Sequence, residues 1–151
     1  ELPVQARGAF ERGLALLQSG EAARAVEVLR EAQVAAPEHA QIRSTLGLAL
    51  AFGARDFESA RTLCESAAKQ EFFNPDLYLN LARVYLSVGR RPGALGYLRR
   101  GQMVAPGHLA IREAIGDLGL RRLPIVPFLP RRHLVNRMLG SVRSVFTAVS
   151  R

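Results

Sequence analysis

One constraint dominates this sequence: its small residues and helix breakers return at nearly constant spacing. From Ala6 to Pro37 the chain has an apolar helical pattern over Ala9 to Leu17, a break at Ser19-Gly20, a second pattern over Ala25 to Val34, and a stop at Pro37. Two such patterns around a glycine break predict a helical hairpin. The unit restarts at Ala40, Pro75 and Leu109, giving spacings of 34, 35 and 34 residues. Unrelated hairpins in an ordinary bundle would not keep that period. Gly13, Gly47 and Ala82 stand on the first helix of successive units, and Ala25, Ala60 and Ala94 on the second. Larger side chains there would hold the helices apart, whereas small ones let ridges interlock and a core run on from unit to unit.

The residues at these positions resemble those of the tetratricopeptide repeat, a helix-turn-helix unit of about 34 residues. In the first unit Gly13 takes the small position, Leu16 the tyrosine position and Gly20 the turn, with Ala25, Leu29, Ala32 and Pro37 on the second helix. The second unit matches through Leu46, Gly47, Asp56, Phe57, Ala60, Cys64 and Ala67, although Ala54 and Arg55 lengthen its turn and Gln70 to Phe73 its exit. The third matches best, through Tyr78, Leu81, Ala82, Tyr85, Gly89, Ala94, Leu98 and Pro106, with Gly101 replacing an alanine. A fourth begins at Leu109 with Ile115 and Gly116 in place, has Gly119 instead of the aromatic, and stops at Pro124. The resemblance implies an all-α, right-handed solenoid over residues 4–122, with three units and part of a fourth. Asn74-Pro75 and Asp56 supply helix-start signals within it.

Charge is divided unevenly along the chain. Residues 1–120 hold 14 Lys or Arg and 13 Asp or Glu, whereas residues 121–151 hold seven Arg and no acid. Questions about anionic partners therefore fall on the tail. Its first part, Leu123 to Pro130, has proline at every third position and is expected to run extended. From Arg131 to Arg151 a helical pattern returns, with Val135, Leu139, Val142 and Phe146 among the residues of one apolar stripe of about 120°. Arg131, Arg132, Arg137 and Arg143 supply most of the cationic charge. Basic extensions of this kind resemble those that follow bacterial tetratricopeptide repeats.

No catalytic, cofactor or metal motif is present. His39, His108 and His133 are too scattered to share a metal, and there is no nucleophile elbow or phosphate loop. The single cysteine, Cys64, falls on an interior repeat position and reads as a core residue in a reducing compartment. With no apolar run near 18 residues and an opening Glu-Leu-Pro-Val, the expectation is a cytoplasmic protein without a signal peptide. The proline spacing of 124, 127 and 130 fits a loose polyproline ligand, but Ile125, Val126, Phe128 and Leu129 between them favour burial.

The resemblance also implies a concave groove lined by the first helix of each unit. Its candidate lining is Arg7, Phe10, Leu14 and Leu17 from the first unit, then Gln41, Ser44, Leu48, Ala51 and Phe52. The third unit adds Asp76, Leu79, Asn80, Arg83 and Leu86. Chaperone-binding members of the family carry a Lys and Asn clamp for a peptide carboxylate, and here Phe10, Leu14 and Ser44 occupy clamp positions instead. The expected function is that of a non-enzymatic interaction module or scaffold that binds a protein or peptide, as an amphipathic helix or extended apolar segment, in this groove. Its own terminal helix could cover the groove, or that of a second copy by self-association. The alternative is an adaptor for membrane surfaces or nucleic acid that acts through the cationic tail.

Overall fold

The computed structural model describes residues 2–120, and within them every regular element is a helix, joined by short turns. Helices α1 (Val4–Gln18) and α2 (Ala22–Ala35) form the first hairpin, and α3 (Ala40–Ala49) and α4 (Phe57–Gln70) the second. Helices α5 (Pro75–Ser87) and α6 (Arg91–Val104) form the third, and α7 (Leu109–Leu120) follows. Residues 1–115 cluster as one compact unit. The proline-rich strap 123–130 and the tail residues Arg131, Arg132, Val135, Arg137, Leu139, Val142, Arg143 and Phe146 lie outside the described residues.

The small positions account for the closeness of the pairs. A Cβ on Gly13 would lie 2.5 Å from Leu29 Cδ2, and one on Gly47 would lie 2.6 Å from Cys64 Sγ. Ala25, Ala60 and Ala94 are fully buried opposite them. The main core cluster runs from Ala6 to Val84, with Leu29, Ile42, Leu46 and Leu81 as large fillers, and a smaller cluster joins Ala40, Ala67, Ala68 and Leu77. Starts and stops follow local chemistry. The Asn74 side chain accepts from the Asp76 N–H at 3.2 Å with Pro75 opening α5, and the Asp56 carboxylate accepts from the Ser59 N–H at 3.1 Å at the start of α4. Gly20 (φ 83°) and Gly89 (φ 74°) make the left-handed turns that end the first helices of units one and three.

Unit two differs. Its surplus residue does not simply lengthen the turn, as the sequence suggested; it is taken up at the end of α3 by a π-helical segment, Leu50–Ala54. Arg55 (φ 54°) then takes the left-handed position that glycine holds elsewhere, and the Leu50 carbonyl accepts from both the Arg55 and Asp56 N–H groups. Gly53 within the segment touches the start of α2 so closely that a Cβ would lie 2.6 Å from the Ala22 carbonyl carbon. A widened helical turn is a common way to absorb an inserted residue, and it re-aims the side chains that follow.

Candidate functional site

Helices α1, α3 and α5 present one face to a continuous channel. Its larger section, about 580 Å³, is walled by Leu14, Leu17, Leu48 and Phe52, with Thr45, Asn80 and Arg83 at its polar side. The smaller, about 270 Å³, continues past Phe10, Leu77 and Leu79 to Gln41 and Asp76, and shares Leu14, Thr45, Asn80 and Arg83 with the first. Helical periodicity explains the alignment: Phe10, Leu14 and Leu17 follow at i, i+4 and i+7 on α1, and Thr45 and Leu48 at i and i+3 on α3. Phe52 lines the larger section and is 53% exposed. It stands in the π-helical segment, so the inserted residue helps set where that ring lies.

Ten of the expected groove residues (Phe10, Leu14, Leu17, Gln41, Leu48, Phe52, Asp76, Leu79, Asn80 and Arg83) line this channel, whereas half-buried Leu86 lies outside both sections. Ser44 and Ala51 are buried rather than presented to a ligand, and Arg7 lines neither section. Ser44 instead braces the floor. Its Oγ accepts from Asn80 Nδ2 at 3.1 Å, and its carbonyl accepts from the Cys64 thiol at 3.3 Å. Burial pushes that thiol up to about 12, so it stays protonated and unreactive. Thr45, Leu77, Gln18, Gly20 and Ala22 were not anticipated as lining residues. Thr45 was detectable, being one turn before Leu48, and Leu77 reads as a core position; Gln18, Gly20 and Ala22 belong to the α1–α2 turn region, which Gly53 lets approach the end of α3.

At the far end, His108 Nε2 lies 3.0 Å from Asp76 Oδ1, while its Nδ1 accepts from the Ile111 N–H at 3.4 Å. The second bond fixes Nε2 as the protonated nitrogen, so the ring donates to the carboxylate. Arg83 forms no ion pair among the described residues and leaves one exposed cation on the channel wall. The site can bury apolar side chains, donate from Arg83 and Asn80, and accept at Asp76. It presents no nucleophile with an adjacent base.

Tetratricopeptide-repeat profiles match residues 51–118, and residues 2–40 and 10–75. No curated protein sequence matches the chain. Among solved structures, the first tetratricopeptide-repeat domain of Spaghetti (RPAP3), bound to an HSP90 peptide, is 15% identical with a TM-score of 0.62, over 77% of this chain and 91% of that one. The second such domain of human RPAP3, in complex with an HSP70 peptide, is 16% identical with a TM-score of 0.61, over 76% and 95%. A thermophilic protein of Thermus thermophilus with the same repeat is 27% identical with a TM-score of 0.58, over 68% of this chain and 52% of that one.

Proposed function

Because this chain belongs to the tetratricopeptide-repeat family, whose members typically act as non-enzymatic interaction modules, we propose that its channel binds an amphipathic helix or an extended apolar peptide of a partner protein. The observation that carries this reading is the channel that two adjoining hollows form across α1, α3 and α5, sharing Leu14, Thr45, Asn80 and Arg83, with mainly apolar walls. Such a surface gains most from a ligand that inserts alternate or i, i+4 apolar side chains and leaves its polar face to Asn80 and Arg83. The two RPAP3 domains bind HSP90 and HSP70 peptides, which supports a peptide ligand here. Phe10, Leu14 and Ser44 at the clamp positions shift the expected ligand from an acidic terminus to an apolar segment. The chain's own stripe at Val135, Leu139, Val142 and Phe146 has the pattern of such a ligand, whether it serves in the same copy or in a second one.

The test is fluorescence anisotropy with a panel of labelled amphipathic helical peptides and scrambled controls. The expected result is binding of patterned members only, weakened about tenfold or more by Phe52→Ala, a change at an exposed ring that leaves helicity intact. Equal binding by Phe52→Ala and by a Leu14→Ser variant of unchanged helicity would overturn the reading.

A further inference from the structure

The two hollows of the channel meet at Leu14, Thr45, Asn80 and Arg83, which line both of them. Three of these four residues are polar, and one is buried. Among the described residues the buried polar side chains are Ser44, fully buried, and Thr45, 4% exposed. Ser44 is engaged, its Oγ accepting from Asn80 Nδ2 and its carbonyl from Cys64. The Thr45 hydroxyl, one residue on, makes no hydrogen bond among the described residues. Buried hydroxyls are normally satisfied, so one without a protein partner beside an open hollow marks a place for a ligand's polar group.

Its neighbours define that group. Asn80 gives one amide proton to Ser44 and keeps the second. Exposed Arg83 forms no ion pair among the described residues, and a guanidinium can only donate. The group that suits all three is an anionic acceptor. The acids on and beside the wall do not fill that role. Asp76 lines only the smaller hollow, stands seven residues before Arg83 or about 10 Å along α5, and is bonded to His108 at 3.0 Å. Glu21, between the lining residues Gly20 and Ala22, is held by Arg24 and Ser19.

We propose that this junction is a subsite for the side-chain carboxylate of an internal Asp or Glu in the partner, seated between two apolar residues that fill the hollows on either side. The inference rests on the channel reading and specifies its ligand: a helix that is apolar along one face and carries one acid in the middle of that face. One cation beside two neutral donors matches a singly charged carboxylate, whereas a phosphate calls for a cluster of arginines. Residues 121–151 contain no Asp or Glu, so the carboxylate comes from another protein, and the chain's own apolar stripe lacks the group that Arg83 and Thr45 recognise.

The probe is a labelled amphipathic helical peptide of about 18 residues, amidated at its C-terminus, whose leucine stripe has either Glu or Gln at its centre. Anisotropy with the full chain is expected to show the Glu peptide binding about fivefold or more tighter than the Gln peptide. Arg83→Gln is expected to abolish that preference and Thr45→Val, which removes the hydroxyl at nearly constant shape, to reduce it, each leaving the affinity of the Gln peptide within about twofold. Equal binding of the two peptides, or a preference that survives both variants, would overturn the subsite; sensitivity to Phe52→Ala would in that case still uphold the channel. A Gln peptide with a free terminal carboxylate that matches the amidated Glu peptide would also overturn it, because the anion recognised would be a chain end. Failure of every peptide to bind would remove the channel reading and the subsite together.

Discussion

Gly47 on α3 faces the carbonyl oxygen of Ala60 on α4 so closely that a Cβ at Gly47 would lie 2.8 Å from it. Backbone cannot yield as a flexible side chain can, so this contact sets how near the two helices stand. Gly47→Leu is expected to overpack the second hairpin and cost on the order of 1–3 kcal/mol, read from urea unfolding. A loss of only a few tenths of that would remove Gly47 from the contact.

The same reasoning gives opposite signs at two other glycines. Gly53→Ala would push against the Ala22 backbone at 2.6 Å and is expected to destabilise the protein and to displace the neighbouring Phe52, which lines the channel. Gly96→Ala meets nothing within 4 Å at an exposed position in the middle of α6, and is expected to stabilise by about 0.5–1 kcal/mol through helix propensity and a less flexible unfolded chain. Thermal unfolding of the two variants side by side separates packing from propensity.

How much of this was legible beforehand differs between the repeat and its irregularity. Hairpins and small-residue contacts followed from period and composition, because Gly13, Gly47 and Ala25 can have only one use in helices spaced that way. Leu14, Leu48 and Leu79 could be placed on the inner helices by the family pattern for the same reason. The π-helical segment was not readable. An inserted residue near Ala54 can be absorbed in a turn or in a helix end, and the choice rests on the close approach of Gly53 to Ala22, a long-range contact with no local sequence signal. The polar floor was hidden similarly, since Ser44 looks like a groove residue until Asn80 and Cys64 are seen to engage it from other helices.

The start of α4 predicts a pH dependence. The Ser59 hydrogen bond holds the Asp56 carboxyl below its ordinary value of 3.8. A depressed folded-state value contributes stability that is present above the unfolded value and lost as pH falls through the folded one. Asp56→Ala is therefore expected to lower Tm at pH 7, with the gap to the unaltered protein closing below about pH 4. A gap that stays constant down to about pH 2 would show that the carboxylate is not the cause.

Buried Cys64 gives a probe of the intact core. Its thiol, with burial pushing it up to about 12, is expected to resist an aromatic disulfide reagent at about pH 8 in the native protein and to react at once in denaturant. Rapid native reaction would mean that α3 and α4 open more readily than their packing implies.

The central claim is that the channel works by burying apolar side chains, and calorimetry on a peptide from the amphipathic panel tests it most directly. Titrations at several temperatures, at about 0.05 and 0.5 M salt, are expected to give a clearly negative heat-capacity change and an affinity that varies little with salt. The change should shrink in Phe52→Ala. A heat-capacity change near zero with affinity that collapses at the higher salt would contradict the account, because it would make the ligand's charge, not the channel's apolar walls, the source of binding.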